Sequence, residues 1–244
     1  MKIKIIRFNS ELATPNFTSE YTINKSNLLQ ALIEIKTKND NSLTFRYGCK
    51  SGVCGSCAVR VNGVEKLACK TIINENDFIE PIKNSHIIKD LVVDVSHETF
   101  LIAKMGLSID TDNDINKVAQ EDVKKIDLQS NCILCNSCYS SCPVYELNKE
   151  FLGPFALTRA IRYVNDKKLV NKATILDSIQ TNGIWDCTLC SACTLVCPQG
   201  IDPKADIMQL QNISVQNGYL NPYTQNLDFN SFEVDFGGFN PNGF

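Results

Sequence analysis

Twelve cysteines in 244 residues fall into three groups of four, and two of those groups repeat each other. Cys132, Cys135, Cys138 and Cys142 are followed by Pro143; 55 residues further on, Cys187, Cys190, Cys193 and Cys197 are followed by Pro198. Both runs read C-x2-C-x2-C-x3-C-P. The earlier group, Cys49, Cys54, Cys57 and Cys69, reads C-x4-C-x2-C-x11-C. So many soft ligands at fixed spacing force the loops to wrap around metal, which limits the fold before any periodicity is considered. Disulfide frameworks belong to short secreted chains, and Met1–Phe8 alternates like a strand instead of reading as an export signal. C-x2-C pairs also hold zinc, so a zinc-stabilised interaction module is the bland alternative. Zinc sites rarely stack three cysteines two apart with a fourth before a proline. All twelve cysteines here fit iron–sulfur spacings, with none left over.

The repeated run is the ligand pattern of two-cubane ferredoxins, in which three cysteines hold one cluster and the fourth ligates the other. This predicts one [4Fe–4S] on Cys132, Cys135, Cys138 and Cys197. A third cluster would sit on Cys142, Cys187 and Cys193, with Cys190 as fourth ligand. The early group has plant-type [2Fe–2S] spacing. There, Gly52 and Gly55 let the backbone curl tightly and aim amide N–H groups at the sulfurs, which raises a cluster's potential. A Rieske centre would need two histidines, and His86 and His97 lie outside any such motif.

The fold expected is α+β. The first hundred residues read as a β-grasp, plant-type ferredoxin domain (1–100). Strands are expected at Lys2–Phe8 and Glu20–Ile23, with a helix over Leu28–Lys38 that puts Leu28, Leu29, Leu32 and Ile35 on one face. A hairpin follows, Ala58–Val61 and Val64–Ala68, turning at Asn62-Gly63 because both residues tolerate positive φ. Further strands are expected near Phe78–Ile79 and Ile87–Val93. Residues 94–131 read as the join, with Asp110–Asp114 a polar loop. From there an α-helical, bacterial-ferredoxin-like domain (101–218) is expected, with helices at Phe151–Asp166 and Lys172–Gln180 each leading into a cluster loop. The end, 219–244, is rich in Asn, Gly and Phe and reads as a disordered or partner-docking tail.

Other residues rank lower. Trp185 reads as packing, with a cofactor or quinone contact as the sharper alternative. Arg159 and Arg162 read as solvated surface, with a partner contact as the alternative. A net charge of −3 and no basic patch argue against nucleic acid. No apolar run reaches the roughly 20 residues that span a bilayer. No nucleotide-binding motif is present, so substrate chemistry must sit on another subunit.

Tyr47–Cys57, Gly63–Thr71, Asn131–Pro143, Leu152-Gly-Pro154 and Gly183–Cys187 through Pro198 together resemble the iron–sulfur subunit of succinate dehydrogenase and fumarate reductase. The resemblance covers about residues 1–210. It implies an N-terminal [2Fe–2S] domain beside an FAD-containing flavoprotein subunit that interconverts succinate and fumarate. It also implies a helical domain carrying electrons through two more clusters to a membrane-associated, quinone-reactive subunit. The expected place is peripheral, on the cytoplasmic side by default, with export alongside a partner as the alternative. Familiar members lack a cysteine where Cys190 stands and hold [3Fe–4S]. With Cys190 the third cluster is expected to be [4Fe–4S], [3Fe–4S] being the alternative, and its potential to be lower. Ubiquinone-linked members place His after the first cysteine of the last motif and Trp after the middle C-P, where this chain has Thr188 and Val144-Tyr145. Both departures favour a low-potential acceptor such as a menaquinone, and the variant class whose third subunit carries cysteine-rich domains. The rival within the same chemistry is the iron–sulfur subunit of another flavoenzyme complex, such as a thiol-linked fumarate reductase.

Overall fold

The computed structural model describes residues 1–108 and 118–224. The Asp110–Asp114 loop and the phenylalanine-bearing stretch from Phe229 to Phe244 lie outside the described residues. The first half contains strands β1 (Lys2–Phe8) and β2 (Asn16–Thr22), then helix α1 (Leu28–Glu34). After these come β3 (Ala58–Val61), β4 (Val64–Leu67), β5 (Phe78–Glu80), β6 (Ile87–Lys89) and β7 (Val92–Val93). Helices follow: α2 (His97–Lys104), α3 (Gln120–Lys124), α4 (Asp127–Ser130), α5 (Ser137–Ser140), α6 (Pro143–Leu147), α7 (Pro154–Val164), α8 (Ala173–Ser178), α9 (Ala192–Leu195) and α10 (Pro203–Gln216).

β1 alternates as its sequence requires, burying Ile3 and Ile5 and exposing Lys2 and Lys4. It runs beside β5 in parallel and β2 antiparallel, in a mixed sheet of order β2-β1-β5-β3-β4. Asn27 caps α1 by accepting from the Gln30 amide at 3.2 Å. Leu28, Leu29, Leu32 and Ile35 then join Ile3, Ile5, Val59 and Ile79 in one core. The hairpin turns at Asn62 (φ 51°) and Gly63 (φ 82°), the left-handed pair that two-residue turns favour. Asn62 also holds β5, its Oδ1 accepting from the Phe78 amide at 2.8 Å.

Three elements differ from the sequence expectation. The second strand begins at Asn16, four residues before the expected Glu20, and pairs with β1 from end to end. It is an edge strand with little buried surface, so alternation carries no apolar signal there. The α-helix over Leu28 stops at Glu34 and loosens into a π turn over Ile35–Asn39. The single strand expected over Ile87–Val93 is instead two short strands broken by Asp90, a left-handed residue (φ 49°) only 1% exposed.

The Asp90 carboxylate explains the break. Oδ1 accepts from Arg7 Nε at 2.8 Å and from the Phe8 amide at 3.2 Å, while Oδ2 accepts from the Thr44 amide at 2.8 Å. It therefore ties the end of β1 to the segment leading into the first cysteine loop. Replacing Asp90 with Ala strands the buried Arg7 guanidinium with only Asp40 opposite it. The expected cost is about 3–5 kcal/mol, the range for breaking a buried pair. A thermal melt of the holo-protein checks it, and a loss under about 1 kcal/mol would show the network to be dispensable.

The second core begins at Leu101 and is built on α7, which buries eight of its eleven residues. α10 packs along α7. Tyr139, Tyr145 and Phe155 stack with rings 4.7–4.8 Å apart beneath the cysteine loops. α10 lies in the stretch expected to be helical but is not singled out there, although its start is marked: Asp202 caps it, accepting from the Ala205 amide at 3.1 Å, and Pro203 occupies the first turn. Beyond that, Gln, Asn and Ser interrupt its apolar residues, so its buried stripe of Ile207, Leu210 and Ser214 is thin.

Candidate functional site

The first cysteine loop is bent by three left-handed residues, Lys50, Gly52 and Gly55. The curl turns backbone donors onto sulfur: the Ser51 and Val53 amides reach Cys49 Sγ at 3.3 and 3.4 Å, and the Cys49 amide reaches Cys54 Sγ at 3.4 Å. The Ser51 hydroxyl first, then the Ser51 and Val53 amides and the Cys54 thiol, bring the Cys49 thiol down to about 5. Cys57 lies at the foot of β3. Cys69 stands in a single 3₁₀ turn after β4, held by Asn27 Nδ2 donating to its carbonyl at 3.0 Å. Burial pushes Cys57 up to about 11, with Cys69 and Cys54 adding to the shift.

The repeat in sequence is also a repeat in backbone. Leu134 and Asn136 adopt left-handed φ of 54° and 61°, and Leu189 and Ser191, at the matching positions, adopt 54° and 68°. A leucine at positive φ is rare, and here it occurs twice at the same step of the motif. Each loop ends in a short helix, α5 and α9, which carries the third cysteine of its run. The fourth cysteines then diverge. Cys142 caps α6, its sulfur accepting from the Tyr145 amide at 3.4 Å, with Pro143 in the first turn. After Cys197 the chain makes a tight turn instead, the Gly200 amide donating to the Cys197 carbonyl at 3.2 Å.

The thiols gather across the repeat. Cys132, Cys135, Cys138 and Cys197 line one cavity, together with Phe155 and Thr158 of α7. Cys142, Cys187, Cys190 and Cys193 line another, closed by Val144 and by Ile207 of α10. Cys190 is the exposed member of its set and Cys193 is buried. Burial pushes Cys193 up to about 12 and Cys138 well above the usual thiol range, and neighbouring sulfurs raise both further. Four thiols so placed cannot all ionise in the absence of a cation, yet thiolate is the form that binds metal. The donor sets therefore suit iron–sulfur clusters, which neutralise four thiolates at once.

The three sites are not independent. Gly55 meets the second loop so closely that a Cβ there would stand 2.6 Å from the Ile133 carbonyl oxygen and 3.0 Å from Cys135. Gln199 Nε2 donates to the Gly52 carbonyl at 2.9 Å, linking the turn after Cys197 to the first loop. Ser140 Oγ donates to Glu65 Oε1 at 2.6 Å and accepts from the Lys83 amide at 2.7 Å.

Arg159 and Arg162 do not project freely. Arg162 pairs with Asp166 at 2.8 Å and lies over the Tyr163 ring. Arg159 donates from Nη2 to the Cys132 carbonyl at 3.1 Å. Burial raises the Cys132 thiol, while the Leu134 amide and the Arg159 guanidinium oppose the rise. Trp185 is half-buried against the helical core and donates to Gln180 Oε1 at 2.8 Å. His97 stacks on Tyr139 and His86 is exposed, and neither lines a cysteine cavity.

Two family models match the chain: a 2Fe-2S iron-sulfur cluster binding domain over residues 2–99 and a 4Fe-4S dicluster domain over residues 129–201. The fumarate reductase iron-sulfur subunit of Haemophilus influenzae is 36% identical over 232 residues, covering 86% of this chain and 91% of that protein. The chain belongs to the succinate dehydrogenase and fumarate reductase iron–sulfur subunit family. A further relative is the 8-methylmenaquinol:fumarate reductase iron-sulfur subunit of Wolinella succinogenes, 33% identical over 89% of this chain and 74% of that protein. The fold is also that of a chain in the Sdh1 complex of Mycobacterium smegmatis, with a TM-score of 0.75 at 24% identity, covering 90% and 97% of the two chains. Family membership places the chain among iron–sulfur electron-transfer subunits of quinone-linked oxidoreductases and displaces the zinc module. It carries both helix and strand, with [2Fe–2S] and [4Fe–4S] ferredoxin-like domains.

Proposed function

We propose that this subunit relays electrons between an FAD-containing flavoprotein and a membrane-associated, quinone-reactive subunit of a succinate dehydrogenase or fumarate reductase complex. The observation that carries this reading is the crossing of the thiols, each of two cavities drawing cysteines from both C-P runs. Residues 1–100 serve as the β-grasp, plant-type domain, with Cys49, Cys54, Cys57 and Cys69 holding [2Fe–2S]. Residues 101–218 serve as the helical domain. There Cys132, Cys135, Cys138 and Cys197 hold one [4Fe–4S], and Cys142, Cys187, Cys190 and Cys193 hold the third cluster. When bound, the clusters supply one-electron carriers. The chain's own part is to shield them, to place N–H donors on their sulfurs and to hold the loops together through Gly55 and Gln199. No helix among the described residues is long and apolar enough to cross a membrane, which suits a peripheral subunit docked on a membrane partner. That partner is proposed to present the cysteine-rich domains of the variant class.

Cys190 gives the reading its sharpest test. Among the thiols of the third site it is the exposed one, at the open side of the cavity. As fourth ligand it completes a [4Fe–4S] centre of lower potential, suited to a menaquinone. Low-temperature EPR of the air-oxidised complex should show no stoichiometric [3Fe–4S] signal, and Cys190→Ala should create one. A full [3Fe–4S] signal before substitution would remove Cys190 from the ligand set. Recovery of a co-purifying flavoprotein with neither succinate nor fumarate activity would favour the thiol-linked rival.

A further inference from the structure

Arg159 is the one arginine of α7 without a carboxylate partner among the described residues. Its Nη2 is fixed on the Cys132 carbonyl, and its Nε is buried with no hydrogen-bond partner. Arginine does not give up its proton in proteins, so this is a permanent positive charge with no neutralising neighbour. The residue before it, Thr158, and Phe155 one turn earlier line the cavity that collects Cys132, Cys135, Cys138 and Cys197. The guanidinium is half-buried, so water screens it less than it would a surface charge. The other cubane cavity differs: its lining holds Val144, Phe151 and Ile207 with Lys204 as its cation, and no arginine.

We propose that Arg159 sets the reduction potential of the cluster at Cys132, raising it by stabilising the extra negative charge of the reduced state. The inference rests on the proposed ligation of that cluster by Cys132. Reduction adds one electron and no proton, because the guanidinium is charged before and after. The effect is therefore independent of pH across the neutral range, because arginine keeps its proton in proteins. It is also local, since the [2Fe–2S] and third sites have other surroundings. A charge-assisted contact in a partly dry site outweighs one in water, and hydrogen bonding to sulfur is among the levers that set cluster potentials. Arg159 is a positioning and tuning residue, because its hydrogen bond goes to the ligand's carbonyl and it supplies no bond to iron.

The test is an EPR-monitored redox titration of the intact complex carrying Arg159→Met, which keeps the apolar stem and removes the charge. At fixed potential the reduced-to-oxidised ratio of this cluster should fall about tenfold, which is about 59 mV for a one-electron couple. Arg159→Lys, which keeps the charge, should recover at least half of that shift on a logarithmic scale. Should Arg159→Met fail to assemble, Arg159→Gln carries the same comparison while still able to donate to the Cys132 carbonyl. A midpoint moving less than about threefold in the ratio, at full cluster occupancy, overturns the proposal, as does a Lys variant indistinguishable from Met. Cys132→Ala tells the two readings apart. If the [4Fe–4S] signal survives that change at full strength, the ligation falls; if it vanishes while Arg159→Met titrates as before, only the tuning role falls.

Discussion

Cys197→Ala should erase the same EPR signal that Cys132→Ala erases, and leave the signal of the neighbouring Cys187 site in place. In sequence Cys197 belongs with Cys187, Cys190 and Cys193, four residues beyond the last of them. In space it lines the cavity of Cys132, Cys135 and Cys138. Cys142→Ala should behave reciprocally and perturb the centre of Cys187 and Cys193. Each substitution leaves three thiols around an incomplete cage, with Phe155 and Ile201 or Val144 and Ile207 as apolar lining. Loss of the cluster should then loosen α7 and α10, which pack over both cavities. The measurement is EPR of the reduced protein with acid-labile sulfide and iron content. If Cys197→Ala removed the Cys187 signal instead, the crossed reading would be wrong.

Gly55→Ala is expected to damage the relay without touching a thiol. The residue sits at φ 72°, where an L side chain costs about 1–2 kcal/mol. Its Cβ would also press on the Ile133 carbonyl oxygen at 2.6 Å, and overpacking of this kind adds about 1–3 kcal/mol. Backbone cannot rotate aside as a side chain can, so the two loops must part. The temperature at which the cluster absorbance bleaches should fall. In rapid mixing, [2Fe–2S] should still accept electrons while reduction of the next centre lags. A variant as stable and as fast as the parent would show that this contact does not hold the loops together. Gly52→Ala offers a milder control, because the near neighbour there is the flexible Lys70 side chain.

Much of this architecture is readable from the chain because its strongest signals are local. The Asn62-Gly63 turn needs positive φ at both positions, and few other residue pairs supply it. Ile3 and Ile5 alternate with lysines, and the apolar spacing within Phe151–Asp166 marks α7 to within a few residues. The thiol groups follow from a spacing rule. What escaped reading depends on contacts distant in sequence. β2 is an exposed edge that takes its extent from β1, and Asp90 breaks a strand because Arg7 and Thr44 require its carboxylate. Asp202-Pro203 announces α10, but the Gln and Asn residues scattered after it hide the stripe whose Ile207 lines the Cys187 cavity. Arg159 carries no motif at all. Only the packing of α7 against the second loop reveals its position over Cys132.

The proposed exchange of fourth ligands between the two runs would also order the birth of the protein. When Cys132, Cys135 and Cys138 leave the ribosome, the residue that completes their set is still 59 positions from being made. At about 5–20 residues per second that interval lasts roughly 3–12 s. Meanwhile the N-terminal group, complete at Cys69, has all its ligands in hand. A scaffold that delivers preformed cubanes can therefore fill the Cys142 set only after Cys193 has emerged and the Cys132 set only after Cys197, whereas the two-iron centre can be installed on a nascent chain. Maturation thus has a built-in sequence, written into the topology of the thiols, and chains truncated before Cys187 should carry [2Fe–2S] alone.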